Sequence, residues 1–244
     1  MSYSTSNPIL NTRGFEYSGG QATTTLNGVI NRCLTLLALV MVSALFAWQS
    51  KYISLESLGA KLALFTIAGI VVAIVTVCKK EWAGYTAPLY AILKGLVLGS
   101  LSKIFELSYP GIVFQAVALT TCTAVGMLLL YKYNIITVTN KLRAIVMTAT
   151  FGILIVYAVS LAMSLFGGNV SFIHSEGTLG LLFSLFVVAI AALNLLLDFD
   201  FIVHVSSRGL PSYMGWYAAF GLMVTLVWLY LEILRMLAKV RSNR

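Results

Sequence analysis

Two acidic residues lie at the end of a long apolar run in the segment NLLLDFDFIVH, Asn194 to His204. An ionisable side chain at bilayer depth costs about 2.5–3.5 kcal/mol on insertion scales, so an acid retained there needs a partner, a cavity or an interface. A carboxyl group in such a place can bind a proton or a cation. The first question is which of the two, Asp198 or Asp200, is placed for this chemistry.

Asp198 is predicted to face the interior of a helix bundle. Residues three or four positions apart share a helix face, whereas Asp200, two positions away, points to nearly the opposite side. A small or polar face suits a bundle interior or a water-lined cavity. The face behind Asp198 is of this kind and consists of Asn194, Ala191, Val187 and Ser184. We therefore interpret Asp198, with Asn194 beside it, as an ion or proton site; a structural hydrogen-bonding role is the alternative.

Asp200 is predicted to be an acid at the membrane interface. The helix face behind it is formed by leucines, and one turn ahead it meets His204 next to the loop SSRGLP. Residues at i and i+4 are neighbours on a helix surface. We expect Asp200 to pair with His204, with ion binding as its less favoured role.

The ionisable residues do not fit the common intramembrane enzymes. A zinc metalloprotease needs an H-E-x-x-H motif, but the two histidines of the chain are His174 and His204. The sequence has no G-x-S-x-G motif, and its three cysteines, Cys33, Cys78 and Cys122, lack metal-ligand spacing. We therefore expect no catalytic activity, no cofactor and no resident metal ion.

The composition is that of an integral membrane protein. Of 244 residues, 59% are apolar and 10% are charged, and the mean hydropathy is +0.93. A bilayer core about 30 Å thick needs roughly 20 apolar residues for each helix. Seven runs meet this requirement and predict an all-α, polytopic bundle of seven transmembrane helices near 33–50, 59–78, 84–103, 110–131, 143–166, 178–204 and 214–238.

One membrane domain, 32–240, is predicted, because the linkers between the runs are too short for a second folded domain. Residues 1–31 are polar and rich in Ser, Thr and Gly, which predicts a partly disordered tail and not a signal peptide. A short basic tail follows at 241–244. The net charge of +8 indicates contact with anionic lipid headgroups and no nucleic-acid partner.

The distribution of Lys and Arg favours a cytoplasmic N terminus. If the N-terminal arm is cytoplasmic, the loop FGGNVSFIHSEGT lies on the opposite side of the membrane, and it contains no Lys or Arg. Basic residues accumulate in cytoplasmic loops. The excess of Lys and Arg on the proposed cytoplasmic side is small when the whole chain is counted, and it is larger when the C-terminal tail is left out.

Helix seven is predicted to place small or polar residues beside Asp198. Asp198 lies about 9 Å from the end of helix six, whereas Glu232 lies roughly 24 Å along helix seven from the same side of the membrane. The two carboxyl groups should therefore not touch, which also argues against an aspartyl protease. Glu232 is expected to pair with Arg235 at the far interface. At the depth of Asp198, helix seven presents Gly221, Thr225 and Trp228.

Lys94 is the remaining ionisable residue near the middle of a predicted span. Its side chain cannot easily extend to an interface from there. Either it pairs with an acid such as Asp198, or its helix is displaced or tilted so that the ammonium group reaches water. The adjacent Gly95 and Gly99 form a small-xxx-small pattern, which predicts close packing against another helix.

Several segments, taken in order, resemble the Bax-inhibitor superfamily of membrane proteins in its bacterial YccA-like branch. They are YAILKGLVLGSLSKIFE, YPGIVFQAVALT, LNLLLDFDFI and WYAAFGLMVTLVWLYLEILRML. The resemblance extends over nearly the whole chain, and the ordered set in a seven-span frame is specific. It implies a seven-helix bundle in a bacterial inner membrane.

The resemblance also implies a role in ion handling. Characterised members behave as pH-sensitive calcium leak channels, in which aspartates on helices six and seven share a proton and hold a gate. By motif, the helix-six aspartate matches Asp198 and the helix-seven aspartate matches Thr225. Lys79 or Lys80 falls where relatives have a basic latch at the end of helix two. Ca²⁺ or a proton is then the expected ion.

The sequence departs from the family pattern at three positions. Thr225 replaces the second carboxylate, Lys94 stands where relatives commonly have glutamate, and Gly215 stands where an acid is expected. Two carboxylates in contact cannot both ionise in a low-dielectric site, and this coupling is what makes such a pair sensitive to pH. The second carboxylate of that pair is absent from this chain.

Two functions follow as expectations. The first is a pH-sensitive cation leak channel, or a regulator of ion homeostasis, with Asp198 as the ion or proton site. The second is a regulatory membrane protein that conducts nothing and binds a membrane partner such as a protease through packing faces like the one at Gly95 and Gly99.

Overall fold

The computed structural model describes residues 23–49, 55–165 and 177–243, and these residues form seven long helices with no strand. A short 3-10 turn, Lys80–Trp82, lies between the second and third helices. The helices are α1 (Leu26–Gln49), α2 (Leu55–Cys78), α3 (Ala83–Ser108), α4 (Ile112–Lys132), α5 (Asn140–Leu165), α6 (Thr178–Ser207) and α7 (Ser212–Ser242).

All seven helices of the described ranges are long and apolar enough to cross a membrane. The shortest, α4, has 21 residues, which at the helical rise gives about 31 Å, the thickness of a bilayer core. The predicted seven-span, all-α fold is therefore confirmed. The observed helices extend beyond the predicted spans at both ends of the bundle. Helix α1 begins at Leu26 and not near residue 33, and α7 ends at Ser242 and not near residue 238. The rest of the predicted N-terminal tail, 1–22, lies outside the described residues.

The outer surface of the bundle is apolar. Large side chains such as Phe46, Phe114 and Phe151 are exposed on α1, α4 and α5. A soluble monomer rarely exposes so many large apolar groups, whereas lipid tails solvate them without cost. The exposed surface therefore agrees with a membrane protein.

Helices α1 and α3 approach each other closely at two glycines. A Cβ atom added at Gly95 would collide with Ser43, and one added at Gly99 would collide with the backbone of Ala44. The hydroxyl group of Ser43 donates to the Leu39 carbonyl on its own helix, at 2.7 Å. The close packing predicted from the small-xxx-small pattern is therefore confirmed, and α1 is the partner.

Helix α7 occupies the centre of the bundle. It packs against α1, α3, α4 and α6, and half of its apolar window is buried, the largest share among the described spans. Two clusters of buried apolar residues share this helix, one including Phe220 and Met223 and the other including Leu229 and Ile233. The buried face of α7 therefore lies inside the protein and not against lipid.

The residues just before α1 hold the turn between α6 and α7. The Thr24 backbone N–H donates to the Leu210 carbonyl at 2.8 Å, and the Thr24 hydroxyl donates to the Pro211 carbonyl at 2.9 Å. Nearly two turns into α1, the Arg32 guanidinium donates to the Ser212 carbonyl at 2.9 Å and to its hydroxyl at 2.7 Å. These contacts fix the start of α7 relative to α1.

Candidate functional site

Asp198 lies in the wall of a cavity of about 470 Å³ between three helices. Helix α2 contributes Ala73 and Val77, and α6 contributes Asp198 and Phe201. Residues of α7 from Tyr217 to Thr225 complete the wall. Apart from Asp198, Tyr217 and Thr225, the side chains around the cavity are apolar. We refer to this space as the Asp198 cavity.

One oxygen of the Asp198 carboxyl group lacks a hydrogen-bond partner. Among the buried side-chain nitrogen and oxygen atoms of the described residues, Asp198 Oδ2 is the single atom in this condition. A buried polar atom without a partner costs free energy, so its retention calls for an explanation such as a bound ion or proton. This atom makes Asp198 the strongest candidate for the functional site.

Gly221 and Thr225 of α7 face Asp198 across the helix interface. A Cβ atom at Gly221 would lie 3.7 Å from Asp198 Oδ1, so the glycine leaves room beside the carboxyl group. The Thr225 hydroxyl donates to the Gly221 carbonyl at 3.2 Å and lies close enough to the Asp198 carboxyl group to interact with it. Because a hydroxyl group has one proton, it can donate to one of these oxygens at a time. The prediction that Gly221 and Thr225 lie at the same depth as Asp198 is thus confirmed.

Asn194 does not join Asp198, although both lie on α6. Its amide nitrogen donates to the Thr150 hydroxyl on α5 at 2.7 Å and to the Ile190 carbonyl at 2.9 Å. The rest of the predicted inward face is buried, including Val187 and Ala191. Asn194 therefore links α6 to α5, and the site around Asp198 is formed with α7.

Asp200 pairs with Arg143, and the expected pair with His204 is wrong. Arg143 Nη2 lies 2.7 Å from Asp200 Oδ2, and the Tyr131 hydroxyl lies 3.5 Å from Oδ1. The His204 side chain is exposed. The Arg143 side chain is half exposed and that of Asp200 is about a third exposed (50% and 31%), which agrees with the predicted interfacial position. The correct partner comes from α5, a helix that spacing along α6 does not reveal.

The three candidate lysines take different places, and one of them, Lys80, contacts a residue of the Asp198 cavity wall. Lys94 Nζ lies 5.6 Å from the centre of the Tyr90 ring, and its chain packs beside Gly69 of α2. Within the described ranges it forms no ion pair with Asp198, so that alternative is wrong. Lys79 lies over the ring of Trp82 at 4.4 Å, and Lys80 lies over that of Tyr217, a cavity wall, at 5.2 Å.

A second buried carboxylate, Glu232, lies toward the opposite end of α7. The expected pair with Arg235 is present at 3.1 Å, but Glu232 is only 2% exposed and is not the solvated interfacial group that we expected. The Tyr157 hydroxyl on α5 lies 3.0 Å from both carboxylate oxygens, and Trp228 Nε1 donates at 3.2 Å. The Trp228 side chain therefore forms a hydrogen bond with Glu232 and does not line the Asp198 cavity in the described structure. We refer to these four residues as the Glu232 cluster.

Lys239 extends the polar contacts at this end of the bundle. Its ammonium group donates to the Ser184 hydroxyl at 2.9 Å and to the Gly180 carbonyl at 3.1 Å. Ser184 belongs to the small, polar face predicted on α6. The sequence did contain a signal for the Glu232 cluster, since Trp228, Glu232 and Arg235 recur at helical spacing, although the contribution of Tyr157 from α5 does not follow from it.

The oxygen atoms around Asp198 suit a proton or a weakly held cation. In the described part of the chain, no group of three or more His, Cys, Asp and Glu side chains is arranged to hold a metal ion. Ca²⁺ takes six to eight oxygen ligands, whereas the Asp198 cavity offers one carboxyl group and two hydroxyl groups. A calcium ion passing this site would keep most of its water ligands.

Comparison with known proteins gives one match. The family model described as Bax inhibitor 1 like matches residues 7–242, which is nearly the full length of the chain. No significant match was found among curated proteins or among solved structures.

Proposed function

The chain belongs to the Bax inhibitor 1 like family, and we propose that it is a pH-sensitive cation leak channel or a regulator of ion homeostasis. In this proposal Asp198 binds the proton or the cation, and Ca²⁺ is the conducted ion. The observation that carries the proposal is the buried Oδ2 atom of Asp198, which lacks a hydrogen-bond partner among the described residues, in a side chain that lines the cavity.

The position of Asp198 supports a site that changes charge. A charged carboxyl group in a mostly apolar cavity is costly unless a proton, a cation or a donor compensates it. The groups that face it are few: Thr225 and Gly221 on α7, Tyr217 in the cavity wall, and Cys33 on α1, which is close enough to interact with its charge. None of them is a second acid, so the proton is held by Asp198 alone.

The Thr225 hydroxyl offers a way to couple protonation to helix packing. When Asp198 is ionised, the hydroxyl donates a hydrogen bond to the carboxylate. When Asp198 is protonated, the hydroxyl returns to the Gly221 carbonyl, 3.2 Å away, and the contact between α6 and α7 weakens. In this proposal Thr225 takes the part that a second carboxylate has in related proteins.

The end of the Asp198 cavity near Lys80 is proposed to open toward the cytoplasm. The N-terminal side of α1 and the ends of α2 and α6 lie on the same side of the bundle, as the alternating helices require. We propose a bacterial inner membrane with a cytoplasmic N terminus. The protein acts without a cofactor and is not an enzyme in this proposal.

A flux assay tests the proposal. The purified protein is reconstituted into liposomes that contain a calcium-sensitive dye, and wild type is compared with Asp198→Asn at pH values on both sides of neutrality. We expect calcium entry with wild type that varies with pH, and entry without this pH dependence for Asp198→Asn. Asp200→Asn is the matched control, because it removes an acid two residues away that already has a cationic partner.

Equal flux for wild type and Asp198→Asn at every pH, or no flux for either, would overturn the proposal. The alternative is then a regulatory protein that conducts nothing and binds a membrane partner such as a protease. Chemical cross-linking in native membranes tests that alternative directly, since it requires recovery of a partner in fixed stoichiometry with this chain.

A further inference from the structure

The Asp198 cavity has the chemistry of a binding site for a hydrophobic organic cation. We infer that it binds an ammonium group attached to an apolar body, with the charge beside Asp198 and the apolar part against the walls from α2 and α7. The inference shares Asp198 with the proposed function but does not require conduction, because occupancy can be measured without flux.

The size and the walls of the cavity fit a small organic molecule. Its volume of about 470 Å³ lies within the usual range for ligand pockets, roughly 300–1,000 Å³. Ala73 and Val77 on α2 present hydrocarbon, and Gly221 leaves space next to the carboxyl group. Such a site combines a large apolar surface with one polar anchor, which is the usual composition of small-molecule sites.

Three aromatic side chains belong to the cavity wall. The ring centres of Phe201 and Tyr217 are 6.2 Å apart in an edge-to-face arrangement, and those of Tyr217 and Phe220 are 6.5 Å apart. All three residues line the cavity with Asp198. Aromatic faces attract cations through the ring quadrupole, and groups of such rings recognise quaternary ammonium compounds. An ammonium ion would thus meet an anion and aromatic rings in the same space.

The protein's own Lys80 shows that this aromatic group accepts a cation. Its ammonium nitrogen lies 5.2 Å from the centre of the Tyr217 ring, within the distance typical of cation–π contacts. Lys80 is exposed and approaches the ring without an ion pair to Asp198 in the described structure. It is placed to compete with a bound cation for Tyr217.

An organic cation fits the oxygen atoms and the apolar walls of the cavity better than a hydrated divalent ion or a neutral molecule does. A divalent ion needs more oxygen ligands than the cavity supplies, and the apolar walls cannot replace its water. A neutral apolar molecule would displace water from Asp198 and leave the orphaned oxygen without compensation. An ammonium ion without strong hydration compensates the carboxylate and fills the apolar space.

The test uses benzyltrimethylammonium and its uncharged carbon isostere, neopentylbenzene, on the full chain in nanodiscs. Binding is measured by equilibrium dialysis, with empty nanodiscs as the blank for partition into lipid. We expect saturable binding of the cation and none of the isostere. Asp198→Asn should weaken cation binding by at least about tenfold, since it removes the one carboxylate charge among the described residues that line the cavity.

Two further variants keep the test decisive if Asp198→Asn folds poorly. Gly221→Leu fills the cavity without changing a charge and should abolish binding. Lys80→Gln should tighten binding about two- to fivefold, the usual strength of an exposed cation–π contact. Lys79→Gln is the matched control, because Lys79 lies over Trp82 outside the cavity, and it should leave the affinity unchanged.

The source of the cation is decided by the lipid of the nanodisc. The discs compared have the same surface charge and differ in their zwitterionic lipid, because anionic lipid by itself concentrates a cation at the surface. Weaker binding of the probe in phosphatidylcholine discs than in phosphatidylethanolamine discs identifies a lipid choline headgroup as an occupant, and equal binding identifies a free cation. No saturable binding to wild type, equal binding of the isostere, or unchanged affinity in Gly221→Leu would overturn the inference. Absence of calcium flux would not affect it.

Discussion

The guanidinium group of Arg32 occupies the space in which a side chain at Gly215 would lie. Arg32 belongs to α1, and its two hydrogen bonds to Ser212 hold it over the first turn of α7. It also lies 5.6 Å above the Trp216 ring. Since Gly221 and Thr225 follow on the same helix, this contact helps to fix the α7 wall of the Asp198 cavity. The glycine at 215, where related proteins are expected to have an acid, is thus explained by the position of Arg32.

Gly215→Ala should therefore destabilise the protein. The new methyl group would displace the Arg32 guanidinium and press on Thr24, which lies 2.9 Å from the Cβ position. We expect the free energy of unfolding to fall by about 1–2 kcal/mol, because overpacking exceeds the gain that alanine usually brings to a helix. Unfolding in mixed micelles, followed by circular dichroism, measures the change.

Gly126→Ala on α4 is the matched control for this variant. Among the described residues, no atom outside its own helix lies within 4 Å of a Cβ added at Gly126, so alanine should stabilise the helix by about 0.5–1 kcal/mol. A stability of Gly215→Ala equal to or above that of Gly126→Ala would show that Arg32 moves aside without cost.

Depth along a helix could be predicted from the sequence, whereas contacts between helices that are distant in sequence could not. The placement of Gly221 and Thr225 opposite Asp198 followed from counting residues from the short turn between α6 and α7, because the helical rise is constant. The same argument separated Asp198 from Glu232. The spans themselves followed from hydropathy, since bilayer thickness fixes their length.

The contacts that the sequence did not reveal come from α5. Arg143, Thr150 and Tyr157 meet Asp200, Asn194 and Glu232 respectively. Which helix lies beside α6 and α7, and how it is rotated, depends on packing over the whole bundle and not on spacing within one segment. For this reason the spacing along α6 predicts a pair between Asp200 and His204, and the position along α7 predicts Glu232 at an interface, whereas the structure shows neither.

Gly99→Ala should weaken the contact between α1 and α3 strongly. Its Cβ would meet the carbonyl group of Ala44, and a backbone group cannot rotate away as a side chain can. We expect a loss of about 1–3 kcal/mol in the free energy of unfolding. The control is Gly69→Ala on α2, where the flexible end of Lys94, at 3.6 Å, is the one neighbour within 4 Å in the part of the chain that the structure describes. Equal stability of the two variants would contradict the close packing of α1 on α3.

Glu232→Gln should destabilise the bundle although it keeps the shape of the side chain. The carboxylate accepts from Tyr157, Trp228 and Arg235, and a hydrogen bond to a charged group contributes about 1.5–3 kcal/mol in soluble proteins. Couplings measured in membrane proteins average about 0.6 kcal/mol, so we expect a total loss of about 1–3 kcal/mol.

A double-mutant cycle with Tyr157→Phe tests whether the loss arises from the Glu232 cluster. The two variants should be less than additive, because Tyr157→Phe removes the hydrogen bond between α5 and α7 that Glu232→Gln weakens by removing the charge of its acceptor. Additive losses would mean that Tyr157 and Glu232 contribute to stability independently, contrary to the contacts of 3.0 Å between them.

Asp200→Asn should change neither stability nor flux by much, in contrast to Asp198→Asn. The Asp200 carboxylate pairs with an Arg143 side chain that is half exposed, and such solvated ion pairs contribute about 0.2–1 kcal/mol. Calcium flux and its pH dependence should stay close to those of wild type. Arg143→Gln removes the other half of the same ion pair and should give the same small loss. If Asp200→Asn abolished the pH response while Asp198→Asn kept it, the ion or proton site would have to be moved from the buried face of α6 to its interfacial face.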